Sequence, residues 1–404
     1  MDLIYRGSVK DLLGPVKAGP TEAVVFDYSD AYSVFDWGRM PDALPRKGEA
    51  LATLAADLFE KLERPENWRE FSKSAEALGL RKSNRFGSAF NEQGEVLQGQ
   101  GLRTHYLGVL PHAPHVLAQA PTQASVQPRL LSQMQATTRQ LVVRQVSVVK
   151  PATAQVLGRQ LPDYAETRVA PLPRLIPLEV VFRFSCPQGS SLLDRMAKDA
   201  TYLAGLGFPN LPVSEGGVWE FPVVELFTKL ETTDRALSLS EALAISGLSG
   251  KQLQEMLFKT AWVAGYLRWL ARNSGAELAD GKLEWGLSEQ GECFLVDAIG
   301  PDELRLSKDG VLLSKELLRS FYRGTKWYQL VNQAKEKARA QGVADWKKLV
   351  AEAPPALTPE QKEFATQVYL SLANALTGRT WFDMGWKLDR LVSEMKKARV
   401  GLEP

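Results

Sequence analysis

The sequence predicts a chain that mixes strands and helices, on three observations. Short runs place polar and apolar residues at alternate positions, the spacing of a strand with one buried face, and Leu278–Arg305 (LADGKLEWGLSEQGECFLVDAIGPDELR) is the plainest. Other runs space apolar residues three and four apart, as a helix with one inner stripe does; Lys251–Asn273 is the longest. Beyond Arg305 the pattern is mostly helical.

Composition bounds the function. The 404 residues suffice for one large domain or two ordinary ones, with ample core. At 45% hydrophobic and 24% charged the composition is that of a globular protein. A net charge of +2 gives no electrostatic case for binding nucleic acid or an acidic membrane. No apolar run reaches the ~18 residues of a membrane span. The opening residues Met1–Arg6 lack a signal-peptide layout, so the cytosol is the expected compartment. Cys186 and Cys293 form no zinc spacing, and no disulfide is expected between them. His112-x-x-His115 has a metal-like spacing but sits in a Pro/Ala/Gln-rich stretch without further ligands.

The elements follow in order. Ile4–Leu13 reads as strand, glycine turn, strand; Gly7 would let a backbone approach a phosphate closely, and Lys10 could add charge there. An ordinary hairpin reads the same way. Ala23–Asp27 is a buried strand. Gly48 opens a helix with Leu51, Leu54, Ala55, Leu58 and Leu62 on one side, and its first amides could hold an anion. Glu66–Leu78 is a second helix, and the polar, glycine-bearing stretch Arg81–Gly101 a loop. Residues 109–140, rich in Pro, Ala, Gln and Thr, predict at most partial order. Leu141–Val149 returns to strand, residues 150–175 are Pro-rich and superficial, and Ile176–Arg183 is a strand. Leu192–Leu203 is helical, Phe221–Lys229 extended, and Ser238 with Glu241 forms a capping box. Thr358 and Pro359 cap and start a late helix.

The chemistry concentrates in Leu278–Arg305. As a strand, its first part puts Asp280, Lys282 and Glu284 on one face, with Leu283, Trp285 and Leu287 on the other. Gly291 marks a turn. A hairpin centred near Gln290 brings Glu284 opposite Asp297 or nearly so. Facing carboxylates repel; Mg²⁺ would remove the repulsion, since it suits few carboxylates plus phosphate oxygens, and Lys282 could meet a phosphate. A solvated amphipathic hairpin has the same alternation. No G-x-G-x-x-G, P-loop or G-x-S-x-G occurs, and no histidine adjoins a nucleophile. Chemistry built from Asp, Glu, Lys and Arg favours ATP-dependent phosphoryl transfer.

Asp280-Gly281-Lys282-Leu283-Glu284-Trp285-Gly286 resembles the D-x-K-[hydrophobic]-E-F-G motif of SAICAR synthetases (phosphoribosylaminoimidazole-succinocarboxamide synthases). Ile176–Arg183, IPLEVVFR, resembles that family's I-P-L-E-V-V-V-R. Asp297 with Pro301-Asp302 and Arg305 is similar to its D-E-x-x-P-D-x-x-R, and Arg103–Leu107 to its P-T-H-[FY] strand, which makes His105 a fold residue. Asp30, Ser33, Asp36, Lys47 and Gly48 match T-D-R-I-S-A-[FY]-D and I-P-x-K-G. The chain departs at Ser8, Ala31, Ala298 and Leu304, and in a 185–190 turn one residue longer than the family's.

What this resemblance implies is an α+β fold: a small antiparallel N-terminal lobe (1–149, with 109–140 inserted), a Pro-rich insertion (150–175), and a larger substrate and metal lobe (176–404). ATP would lie in a cleft between lobes, as in ATP-grasp and kinase-related folds. The implied reaction joins 5-amino-1-(5-phosphoribosyl)imidazole-4-carboxylate to L-aspartate at the expense of ATP, in de novo purine biosynthesis. The implied cofactors are ATP and Mg²⁺. The resemblance assigns catalysis to Asp280, Lys282 and Arg305; ATP binding to Gly7, Lys10, Glu284 and Asp297; Mg²⁺ to Glu284 and Asp297. Substrate contacts fall to Ser33, Lys47, Gly48, Arg183, Ser190, Lys229 and Asp234. The partners are small molecules, with no nucleic acid or membrane; self-association is open. A paralogue joining another acid and amine, or a non-catalytic nucleotide-binding relative, stays open beside it.

Overall fold

The computed structural model describes residues 1–82, 86–111, 124–187, 190–231, 233–341 and 345–402; the His112/His115 pair lies outside them. The chain forms two compact units. Unit 1 holds residues 1–58, 106–144 and 300–404, and unit 2 holds 59–105 and 145–299. This division differs from the expected cuts at 149 and 175. Contacts between distant stretches set it: the Trp262 indole donates to the Phe90 carbonyl, while the C-terminal Lys362 pairs with Asp42. No helix among the described residues is long and apolar enough to cross a membrane.

Unit 1 begins with β1 (Leu3–Arg6), β2 (Lys10–Ala18) and β3 (Thr21–Tyr28), then adds β4 (Tyr106–Val109), β5 (Ala124–Val126) and β6 (Gln140–Arg144). The order is β1-β2-β3-β6-β4, antiparallel, with β5 parallel to β2. Val16, Ala23, Val25 and Val142 close its core. The 109–140 stretch therefore contributes an edge strand to this sheet.

Unit 2 contains β7 (Ala152–Val156), β8 (Arg159–Asp163), β9 (Arg174–Ser185), β10 (Val218–Thr228), β11 (Ala236–Leu237), β12 (Glu277–Leu287) and β13 (Cys293–Val296). The last five form an antiparallel sheet ordered β11-β10-β9-β12-β13. Alternate residues Ile176, Leu178, Val180 and Phe182 of β9 are fully buried, as period-two patterning requires. The helix Gly250–Asn273 packs against β10 and β12, with its capping box at Ser249. Most of its predicted stripe is buried.

One expectation fails here for a packing reason. The stretch read as a loop, 81–101, contains the helix Ser88–Gln100. Its Gly94 signals contact rather than disorder, since a Cβ there would lie 2.4 Å from the Trp262 ring. The Pro-rich 150–175 stretch folds its first part into the β7–β8 hairpin.

Unit 1 resumes with β14 (Leu304–Lys308), β15 (Val311–Leu312) and the helices Lys315–Arg323, Lys326–Gln341, Pro359–Thr377 and Leu388–Ala398. The Thr358 capping box and Pro359 start the third of these helices. Cys186 and Cys293 are free and buried.

Candidate active site

Strand register builds the charged centre of unit 2. Glu284 lies opposite Glu179, and Asp280 opposite Arg183; across the other edge of β9, Glu179 faces Phe227 and Val181 faces Glu225. Cross-strand partners share a sheet face. One face of β10-β9-β12 therefore carries Glu179, Arg183, Glu225, Asp280, Lys282 and Glu284, and the ions sort into two groups.

The first group is closed on itself. Arg183 Nε donates to Glu225 Oε2 at 2.5 Å, and its Nη1 to Asp280 Oδ2 at 3.1 Å. Arg195 Nε and the Tyr202 hydroxyl donate to Glu225 Oε1, both at 2.9 Å. Burial would lower Arg183, but Glu225 and Asp280 outweigh it and hold the guanidinium charged. Arg183, expected to contact a substrate, has its fork taken by two carboxylates of its own sheet. Ser190 caps the helix Ser191–Lys198, its hydroxyl accepting from the Leu192 amide.

The second group is more open. Lys229 Nζ lies 2.5 Å from Glu284 Oε1 and 3.5 Å from Glu179 Oε2, and Lys282 Nζ 2.9 Å from Glu179 Oε2. The Lys229 and Lys282 side chains keep 26% and 39% of their exposure. Glu284 pairs with Val296 in the β12–β13 ladder, so Asp297 follows one residue on, with a left-handed φ of 66°. The His105 ring donates from Nε2 to the Asp297 carbonyl at 3.0 Å, and the His105 amide to the Leu295 carbonyl at 2.9 Å. His105 thus fixes the backbone that presents Asp297. Burial, then the Asp297 charge, pushes Glu284 up to about 7 against the pull of Lys229. Burial would lower Lys229, yet Glu284, Asp297 and Glu179 together raise it.

A cation fits this group only with help. Among the described residues no three of His, Cys, Asp and Glu gather closely enough to hold a metal ion. Glu284 and Asp297 could supply two oxygens to Mg²⁺, with phosphate oxygens and water completing its shell. The mutual repulsion that raises Glu284 is the strain such a cation would relieve. Asp234 stands in the loop from β10 to β11, where its charge acts on the Tyr164 hydroxyl.

Unit 1 holds the remaining predicted residues. A Cβ on Gly7 would lie 2.2 Å from the Lys10 carbonyl oxygen, so the β1–β2 turn admits only glycine there. Lys10 Nζ stands 4.5 Å from the Phe26 ring centre and 5.8 Å from that of Tyr28, a cation–π seat on one side of β2–β3. Ser33 is buried. The Lys47 side chain, expected to contact a substrate, is 0% exposed and lies 3.0 Å from Asp302 Oδ2. The Tyr369 hydroxyl donates to Asp302 Oδ1 at 2.6 Å. The Gly48 amide is likewise spoken for, donating to Asp30 Oδ1 at 3.0 Å, and a Cβ there would lie 2.5 Å from the Tyr28 carbonyl oxygen.

Arg305 approaches Glu316 Oε2 at 4.0 Å. Arg319 bonds the same oxygen at 2.8 Å, and Arg323 bonds Oε1. Sequence reasoning missed this arginine cluster, although Glu316, Arg319 and Arg323 at i, i+3 and i+7 share one helix face. It also missed Glu225 and the role of Glu179, whose signal was a lone carboxylate in the otherwise apolar start of Ile176–Arg183.

The class these features define is an α+β enzyme that manages charge with carboxylates, lysines and arginines rather than with a nucleophilic serine or cysteine. A model of the SAICAR synthetase family matches residues 3–334. The chain belongs to that family of ATP-dependent carbon–nitrogen ligases. It is 33% identical over 395 residues to an Archaeoglobus fulgidus protein named, provisionally, phosphoribosylaminoimidazole-succinocarboxamide synthase, covering 97% of this chain and 99% of that one. The Thermoplasma acidophilum phosphoribosylaminoimidazole-succinocarboxamide synthase is 30% identical over 215 residues, 51% of this chain and 69% of that one. In fold, the chain is similar to the Saccharomyces cerevisiae SAICAR synthase solved with SAICAR, with a TM-score of 0.54, 18% identity and 96% of each chain covered.

Proposed function

We propose that this chain joins 5-amino-1-(5-phosphoribosyl)imidazole-4-carboxylate to L-aspartate, converting ATP to ADP and phosphate. The observation that carries the assignment of roles is the open ion cluster Glu179–Lys229–Glu284–Lys282 beside Asp297. A carboxylate is a poor electrophile. Transfer of the γ-phosphoryl group to the ribotide carboxylate gives an acyl phosphate, and the aspartate amine then displaces phosphate to form the amide. Glu284 and Asp297 would hold Mg²⁺, which when bound neutralises charge on phosphate oxygens. Lys229 and Lys282, already aimed at carboxylates, are placed to turn to the moving phosphoryl oxygens.

Gly7 and Lys10 are assigned to the nucleotide phosphates. Arg305, joined by Arg319 and Arg323, is assigned to an anionic group of a substrate, for which the guanidinium fork is suited. Arg183 and Asp280 hold the sheet beneath the open cluster, while Ser33, Ser190 and Asp234 stand as substrate contacts. Two free buried cysteines suit a reducing cytoplasm.

The test is ADP release by purified protein with ATP, Mg²⁺, the ribotide and aspartate. Release that depends on both substrates is expected. Release indifferent to aspartate would point to a paralogue with another amine, and no release with any acid–amine pair to a non-catalytic relative.

A further inference from the structure

β7 and β8 pair with each other and with no third strand among the described residues. Nine of their ten residues are exposed, Ala154 being half-buried. A lone two-stranded hairpin is marginal in water. Its turn adds cost: Leu157 and Gly158 have φ of 50° and 75°, the type I′ geometry that favours Asn-Gly. Leucine there is strained, and its side chain is 98% exposed. Among the described residues no third strand shares the cost of that combination. Val156 and Leu161 of the hairpin are exposed as well, as are Val148, Val169 and Leu172 around it in sequence.

The edges say what covers it. A two-residue turn closes on a hydrogen-bonded pair, here Val156 with Arg159; by alternation Ala154–Leu161 and Ala152–Asp163 are also bonded pairs. The backbone groups of Thr153 and Gln155 on β7, and of Gln160 and Pro162 on β8, therefore face outward. Pro162 has no N–H, so the β8 edge is blunted. The β7 edge keeps every donor and acceptor. It is also self-complementary. Two antiparallel copies of β7 centred on Ala154 set Thr153 of each opposite Gln155 of the other, and those residues carry the outward groups.

We propose that the β7 edge pairs with the β7 edge of a second copy of this chain, making a four-stranded sheet, β8-β7-β7-β8, across a two-fold axis. One competent edge per hairpin gives a closed dimer rather than a fibre.

The test is mass measurement by light scattering of the full chain over a concentration series, with three variants. Gln155→Pro removes an outward N–H from each copy without touching a bond inside the hairpin; dimer affinity is expected to fall roughly tenfold or more. Gln160→Pro alters only the blunted edge and should leave the dimer intact. Leu157→Asn relaxes the turn without touching the β7 edge, and should preserve both the hairpin and the dimer. Hydrogen exchange should show the Thr153 and Gln155 amides protected in the wild-type dimer and the Gln160 amide open. A wild-type monomer at every concentration overturns the proposal. So does a dimer indifferent to Gln155→Pro, or one lost equally with both proline variants.

Discussion

Two buried lysine–carboxylate centres in this chain look alike in composition and differ in consequence. In unit 1, Lys47 and Asp302 exclude solvent, with side-chain exposures of 0% and 4%, and Tyr369 fills the second carboxylate oxygen. Burial would raise Asp302, but Lys47 and Lys315 overcome it and hold the carboxylate at about 2. In unit 2, Lys229 and Lys282 keep part of their surface, and Glu284 is pushed up to about 7 rather than down. A balanced, closed pair has its charge matched within the fold. An acid-rich cluster with partly exposed lysines retains unspent charge, and that charge is available to a ligand.

Breaking the closed pair should have the largest effect on stability. Lys47→Met leaves Asp302 buried without its cation and should cost about 3–5 kcal/mol, read from urea unfolding. Lys229→Met, by contrast, should cost about 1 kcal/mol or less, because its ammonium is partly solvated and Glu284 can take up a proton instead. Equal losses would erase the distinction between the two centres.

The open cluster should dominate activity. Glu284→Gln is expected to lower ADP release by roughly 10²–10³-fold with the fold intact by circular dichroism. Near-normal turnover would remove Glu284 from the reaction. Tyr369→Phe sharpens the other side: losing a hydrogen bond to a buried charge should cost about 1.5–3 kcal/mol in unfolding, with the chemistry at the open cluster unaltered.

The two centres also differ in the sign of their pH dependence. Glu284 has a folded-state pKa raised from 4.5 to about 7, so the folded chain holds more protons than the unfolded chain between those values. Its contribution to stability is present below about 4.5 and lost as pH rises to about 7. Glu284→Gln should therefore be relatively more stable than wild type above that window, by on the order of 2 kcal/mol. Asp302 runs the other way: its contribution is present above 3.8 and lost as pH falls to about 2. Unfolding free energies of wild type and variant across this range check both signs.

The alternation in Leu278–Arg305 made the face of Asp280, Lys282 and Glu284 legible, because side-chain direction in a strand depends only on position. The hairpin placed Asp297 within one residue of its expected partner. The helix Ser88–Gln100 was illegible, since its polar and glycine-bearing composition suits contact with Trp262 rather than local propensity. Glu225, as partner to Arg183, was equally hidden. That pairing depends on which strands neighbour β9, and register between strands distant in sequence is not a local property.

The sequence by itself determined which residues share a strand face or helix stripe, the helix caps at Ser238 and Thr358, and the motifs that mark the family. Those features rest on covalent geometry, period and local hydrogen bonding. Only the tertiary structure decided which charges are sealed. Lys47 and Lys229 are both lysines taken from family motifs, but one meets Asp302 and Tyr369 with solvent excluded while the other stands among three carboxylates with part of its surface open. Desolvation depends on everything packed around a charge, and those neighbours come from far along the chain.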